Sequence, residues 1–126
     1  MASTTLHKRR PQMPHKPISS CHDGVGSIQW VGVLGREDLR EKHLNFFHDD
    51  ILPPGTSIGT HRHENDEEYY YVVSGHGRMT LDDRQVDIGP GDVTAVFPGG
   101  RHGLENNGDR DLRVIVVSVS GRRANS

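Results

Sequence analysis

The sequence has a single cysteine, Cys21, among its 126 residues. One cysteine cannot form a disulfide within the chain, so a fold held together by disulfides is excluded. The chain also has no run near the ~18 consecutive apolar residues of a membrane helix, and no apolar segment follows the basic residues near its N-terminus. We therefore expect a cytoplasmic protein with no membrane partner.

A strong charge of either sign is also missing. The 15 Lys and Arg residues against 17 Asp and Glu residues leave a formal net charge of −2. Because nucleic-acid binding needs a positive surface, this balance argues against nucleic acid as a partner. The composition is instead unusual in its nine histidines, and their positions carry the functional argument.

Turn residues divide the chain into short segments that are rich in strand formers. We predict short strands throughout residues 27–119, a tight hairpin at Asp82-Asp83 and a brief helical turn around residues 36–42. Many short strands with regular turn signals are typical of an all-β sandwich or barrel.

We expect one domain, because the length suits a single core. Residues 23–120 would form the β-barrel domain. Residues 1–22, which are basic and contain several prolines, would form a mobile or loosely docked arm. Residues 121–126 would form a short C-terminal tail.

His61 and His63 form a His-x-His pair in one predicted strand. Side chains alternate between the two faces of a strand, so both imidazoles point the same way, separated by about 7 Å of backbone rise. Two imidazoles at this spacing can converge on one metal ion. A carboxylate at the start of the next strand, Glu67 or Glu68, could approach the same ion, and strand parity does not decide between them. Farther on, His102 follows a glycine-rich turn that can return it to the barrel.

The spacing of these residues resembles the first motif of the cupin superfamily, in which a glycine, a His-x-His pair, a glutamate and a closing glycine follow one another. The residues that match it are Gly55, His61, His63, Glu68 and Gly75. The six-residue gap before Gly75 selects Glu68 over Glu67 as the motif's glutamate.

A second cupin motif is also matched, farther along the chain. Its residues are Gly91, Gly99, His102 and Asn106. One position departs from the family, since Phe97 stands where the motif has proline and Pro98 follows one place late.

The resemblance covers about residues 43–119. It implies a single-domain jelly-roll barrel (a double-stranded β-helix) with one metal inside, and commonly a homodimer. It assigns metal ligation to four residues: His61, His63, Glu68 and His102. Three neutral imidazoles and one carboxylate suit divalent Mn, Fe, Co, Ni, Cu or Zn, with open positions for water or a small-molecule substrate.

Two further residues are candidates for proton transfer. If Glu68 faces inward, so does Tyr70, which could be a hydrogen-bond donor or acid, or could simply pack in the barrel. His48 could line the pocket as a general base, or it could be an exposed strand histidine. Other residues are expected to have no role in the chemistry: His7, His15, His22 and Cys21.

The cupin fold hosts many reactions and therefore does not name one. We expect a mononuclear metal-dependent enzyme acting on a small oxygen-rich substrate, such as an organic acid, keto acid or sugar derivative. The reaction would be an isomerisation, a decarboxylation, a lyase reaction or a dioxygenation. The alternatives are a non-catalytic module that binds a metal or small ligand, and a structural barrel. Tyr69, Tyr71 and Val73, on the opposite face of their strand from Tyr70, are compatible with a homodimer.

Overall fold

The structure, a computed structural model, describes residues 4–39 and 43–121. These residues form ten β-strands: β1 His15–Ser19, β2 Ser27–Leu34, β3 Leu44–Leu52, β4 Ser57–Arg62, β5 Asp66–Ser74, β6 Gly77–Leu81, β7 Arg84–Ile88, β8 Val93–Val96, β9 Arg101–Glu105 and β10 Leu112–Ser120. Short 3-10 helices occupy Arg10–Gln12, Cys21–Asp23 and Arg36–Asp38. The described residues contain no helix with the length and hydropathy that a membrane span requires.

The strands form two antiparallel sheets that enclose one core. The larger sheet has the order β1-β2-β3-β10-β5-β8, and the smaller has the order β4-β9-β6-β7. Val72 and Val114 of the larger sheet are buried in the same apolar cluster as Met79 and Leu104 of the smaller. This is the predicted all-β jelly-roll, in which burial of apolar side chains between the sheets supplies most of the stability.

Strand β5 shows how the sequence pattern directs polar groups into this barrel. Glu68, Tyr70 and Val72 are only 5%, 4% and 1% exposed, whereas Tyr71 and Val73 are 49% and 39% exposed. The alternation confirms the predicted parity of the strand. It also brings a carboxylate and a phenol into the barrel interior.

The first strand differs from the sequence-based expectation. His15–Ser19 pairs along its whole length with β2, although this stretch lies in the segment predicted to be a loosely docked arm. That prediction is wrong for this stretch. Pro17 argues against a central strand, but β1 is at the edge of its sheet, where proline is tolerated. The proposed boundaries at residues 22 and 121 stay predictions.

Two local predictions concern the connections between strands. Leu81 pairs with Arg84 across Asp82-Asp83, which confirms the tight hairpin. Asp82 has φ 56°, in the left-handed region where Asp is among the better tolerated residues. The helical turn expected around residues 36–42 is a 3-10 helix over Arg36–Asp38, and residues 40–42 lie outside the described residues.

Asn106 ties the turn after β9 to strand β3. Its side-chain nitrogen donates to the carbonyl oxygens of Leu52 at 2.8 Å and Arg110 at 2.7 Å. Its side-chain oxygen accepts from the backbone N–H of Gly108 at 3.0 Å. The side chain is 1% exposed, so water cannot replace these bonds.

We predict that Asn106→Ala lowers the free energy of unfolding by about 1–3 kcal/mol, because it leaves the buried carbonyl oxygen of Leu52 without this partner. Urea denaturation measures this loss. The matched control is Asn107→Ala, because Asn107 is exposed and should tolerate the change within about 0.5 kcal/mol. Equal stability of the two variants would contradict this role for Asn106.

Candidate metal centre

The four predicted ligands come together at one end of the barrel. His61 on β4 and His102 on β9 are directly paired across the smaller sheet. His63 follows the end of β4, and Glu68 comes from β5 of the facing sheet. The ligating atoms of the four residues all lie within 4.8 Å of one another.

The distances within this cluster are those of a metal site. The Nε2 atom of His102 lies 3.1 Å from Nε2 of His61, 3.1 Å from Nε2 of His63 and 3.2 Å from Oε1 of Glu68. The Glu68 oxygen lies 3.9 Å from Nε2 of His63. Two ligands bonded at ~2.1 Å and at right angles are separated by about 3.0 Å, so one ion among these atoms would contact all of them.

The protonation of the imidazoles shows that the residues fit a cation. Nδ1 of His61 lies 2.7 Å from the carbonyl oxygen of Gly59, which can only accept a hydrogen bond. Nδ1 of His63 lies 2.9 Å from a carboxylate oxygen of Asp66. Both Nδ1 atoms therefore carry the ring proton, and the Nε2 atoms present bare lone pairs to the cluster. Nε2 of His102 lies 3.1 Å from both of these Nε2 atoms, so the three imidazole nitrogens face one point that a cation could occupy.

A hydrogen-bonded chain behind His63 fixes its orientation. The second carboxylate oxygen of Asp66 accepts from the hydroxyl of Ser118 at 2.9 Å. That hydroxyl in turn accepts from the side-chain amide of Asn45 at 3.0 Å. Asp66 was not among the predicted site residues, although its place two residues before Glu68 on β5 puts it on the same face of the strand. Outer contacts of this kind set the tautomer and direction of a metal-binding histidine.

The electrostatics of the cluster prepare its groups for ligation. Burial by itself raises the pKa of Glu68, but the hydrogen bond to His102 and the nearby histidines outweigh it and hold this pKa below its usual value. Burial lowers the pKa of His61 to about 4, so its ring is neutral at pH 7. A metal ion would therefore displace no proton from either group near neutral pH.

Both proton-transfer candidates lie on inner faces of the barrel. The buried ring of Tyr70 packs edge-on against His102, with centroids 5.0 Å apart, and burial raises its pKa well above the usual value. The side chain of His48 is 20% exposed and stacks on Phe46, so it is not an exposed strand histidine. Burial lowers the pKa of His48 to about 4. The catalytic roles of Tyr70 and His48 stay predictions.

Asp50 is a buried acid that the sequence analysis missed. It is 4% exposed and lies beside His48, with Nδ1 of the histidine 4.0 Å from Oδ2 of the aspartate. Its other oxygen, Oδ1, is buried and has no hydrogen-bond partner in the described part of the chain. Burial raises the pKa of Asp50 to about 7, and the charges of Asp49 and Glu68 add to the effect. A carboxyl group that exchanges its proton near neutral pH therefore faces the same interior as the ligand cluster.

His22 is a second residue whose place the sequence did not reveal. Its ring stacks on His61 with centroids 3.7 Å apart and planes 11° from parallel. The sequence did not predict this position, and the expectation that His22 has no role in the chemistry stays a prediction. By contrast, burial raises the pKa of Cys21, so its thiol stays protonated, in keeping with the expectation that it is inert.

The match to a family of known proteins agrees with this site. A family model described as a cupin domain matches residues 49–118. The chain belongs to the cupin family. Among curated relatives of this cupin, an oxalate-binding protein of Thermotoga maritima is 32% identical over 116 residues, which cover 92% of this chain and 95% of the relative.

Solved structures agree with the assignment to the cupins. A crystal structure of a predicted oxalate decarboxylase from Thermotoga maritima is 31% identical, covers 91% of this chain and 99% of that chain, and superposes with a TM-score of 0.85. The structure of KdgF from a Halomonas species covers 97% of this chain and 98% of that chain with a TM-score of 0.74. At 20% identity, that second likeness concerns the fold alone.

We predict that a divalent metal raises the melting temperature of this cupin and that His102→Ala abolishes the increase. A ligand present at 100 times its dissociation constant stabilises a fold by about 2.7 kcal/mol. Thermal melts of the metal-free and metal-loaded proteins measure the effect. The control His76→Ala, which removes an exposed histidine, should keep the full increase. An increase that survived in His102→Ala would count against the site.

Asp50 should make the metal-free fold depend on pH in a defined direction. An acid whose pKa is higher in the folded chain favours the fold at low pH, and that contribution is lost as the pH rises from about 4 through about 7. Asp50→Asn should therefore gain stability relative to wild type between pH 4 and pH 8, by on the order of 4 kcal/mol.

Urea denaturation at several pH values measures this dependence. The control is Asp49→Asn, because a hydrogen bond from Arg113 holds the pKa of Asp49 below its usual value. That variant should instead lose stability relative to wild type as the pH rises toward about 4, and the difference should then stay constant at higher pH. A difference between wild type and Asp50→Asn that did not change with pH would refute the assigned ionisation.

Proposed function

We propose that this cupin holds one divalent transition metal and binds a small dicarboxylate of the oxalate class at the open positions of that metal. The observation that carries the proposal is the convergence of three imidazole Nε2 atoms and one carboxylate oxygen. Four protein ligands on a six-coordinate ion would leave two positions free, which would suit a ligand with two adjacent carboxylates. The relative from Thermotoga maritima, which bears the name oxalate-binding protein, supports the choice of ligand.

The charges of the site favour an anionic ligand. Three neutral imidazoles and the carboxylate of Glu68 would leave a divalent ion with a net positive charge, which attracts a dianion. When bound, the metal would act as a Lewis acid that polarises a carboxylate oxygen. The hydrogen bonds from His61 to Gly59 and from His63 to Asp66 hold the ligating nitrogens in place while a ligand enters and leaves.

Decarboxylation is the reaction that the barrel interior favours for such a ligand. The carbon–carbon bond of the oxalate dianion would break, one carbon would leave as carbon dioxide, and the other would keep the electron pair and take up one proton to give formate. Asp50, with a pKa of about 7, is suited to give or relay that proton near neutral pH. Tyr70, which keeps its proton, would donate a hydrogen bond to a carboxylate oxygen of the ligand. His48, which is neutral and lies beside Asp50, would accept a proton as a general base.

The central test is calorimetric titration of the manganese-loaded full chain with oxalate. We expect oxalate to bind at least about tenfold more tightly than malonate, since the longer acid chelates the ion less favourably. The metal-free protein and His61→Ala should bind neither acid, whereas His76→Ala should behave like wild type. Equal binding of oxalate with and without metal would overturn the proposal.

The same samples distinguish an enzyme from a binding module. Formate released without oxygen uptake, and reduced in Asp50→Asn, supports decarboxylation. Oxygen uptake would instead indicate dioxygenation. Tight binding with no product under any metal supports the non-catalytic alternative. A panel of keto acids and sugar derivatives tests the other substrate classes that the fold allows.

A homodimer and a cytoplasmic location stay predictions. The apolar outer face of β5 and β8 supports the proposal of a homodimer. Tyr71 pairs with Val93 on this face, and both side chains are exposed. Val73 and Phe97 extend this apolar surface, and a second copy of the chain would cover it.

A further inference from the structure

The turn that precedes β2 is held in an unusual backbone conformation. Ser20, His22 and Asp23 have φ angles of 52°, 49° and 63°. These values lie in the left-handed region, which residues other than glycine rarely adopt. Several such residues within one short turn indicate that tertiary contacts hold the backbone there, and such conformations concentrate at functional sites.

The contacts that hold this turn come from β4, the strand that carries His61. A side-chain carbon at Gly59 would collide with the carbonyl oxygen of His22, and one at Gly24 would collide with the carbonyl oxygen of Ser57. Val25 and Ser57 exchange hydrogen bonds, with Val25 N to Ser57 Oγ at 2.8 Å and Ser57 N to Val25 O at 2.9 Å. The turn is therefore seated directly on the backbone of β4.

Gly59 connects the turn to the metal ligand. Its missing side chain gives space to the backbone of His22, and its carbonyl oxygen accepts the hydrogen bond from Nδ1 of His61. The ring of His22 then covers one face of the His61 ring at 3.7 Å. His22 is itself exposed, so it lies between His61 and solvent.

We propose that His22 is a positioning residue for the metal ligand His61, whose ring it holds by stacking and whose metal bond it protects from exchange with water. The proposal rests on the metal site of the proposed function but not on oxalate. A metal ion withdraws electron density from His61, and an electron-poor ring stacks more favourably on a neutral imidazole. Stacking and metal binding therefore strengthen each other, and the coupling is reciprocal.

The rate of metal release to a chelator tests this proposal on the full chain loaded with zinc alone. We expect His22→Ala to release zinc about tenfold faster, the lower end of the effect of losing a contact behind a metal ligand. His22→Phe restores a flat ring without nitrogen and should release zinc within about threefold of wild type. The control His76→Ala should leave the rate unchanged.

A second measurement uses the wild-type turn as the readout. The N–H groups of Asp23 and Gly24 bond to Ser20 and Cys21 within the turn, and hydrogen exchange at these two amides should slow when zinc binds. In His22→Ala the slowing should disappear, although the fold itself is retained. This response would not follow from a purely structural role of His22.

Each outcome supports or overturns the proposal. An unchanged release rate in His22→Ala overturns it. A rate in His22→Phe as fast as in His22→Ala overturns stacking as the cause, because a nitrogen of His22 would then be required. If the wild-type chain takes up no zinc, both the metal site and this proposal are overturned. If it binds zinc but not oxalate, this proposal stands and only the choice of dicarboxylate is contradicted.

Discussion

The central constraint on this protein is the convergence of three imidazole nitrogens and one carboxylate oxygen inside its barrel. Three imidazole nitrogens and a carboxylate oxygen lie within 4.8 Å of one another, and the Nδ1 protons of His61 and His63 are already engaged elsewhere. A cation at the centre of this arrangement would be within bonding distance of all four atoms. The close pairing of β4 with β9, the carboxylate on the facing sheet and the bonds behind His63 all serve this geometry.

The interior also contains buried polar groups outside the ligand set, to which we assign proton transfer in the proposed function. Asp50 has a buried oxygen without a partner in the described residues, and Tyr70 keeps its proton between the ligand cluster and the apolar core. Burial produces both effects, because a low dielectric disfavours the charged form of an acid. The proposed decarboxylation would use both kinds of group, with a metal-bound acid next to a carboxyl group that can supply a proton.

The ligand set could be predicted because it depends on local rules. Strand alternation places His61 and His63 together. Glu68 and His102 were assigned through the resemblance to the cupin motifs, since strand parity alone left Glu67 and Glu68 open. Asp50 was missed because Phe46 and Phe47 stand side by side on β3 and obscure which face is inward. His22 could not be found locally, since a turn with left-handed residues brings it to His61 from another part of the chain. β1 was missed because Pro17 disfavours a strand everywhere except at an edge.

The most direct test of the central claim is X-ray absorption spectroscopy at the metal edge of the zinc-loaded full chain. We predict a first shell of three histidine nitrogens, with the outer scattering of their imidazole rings, and one carboxylate oxygen. These four atoms should lie at about 2.0–2.2 Å from the ion. The His102→Ala protein should lose one imidazole from this shell. A spectrum with oxygen neighbours only, and no imidazole scattering, would contradict the account.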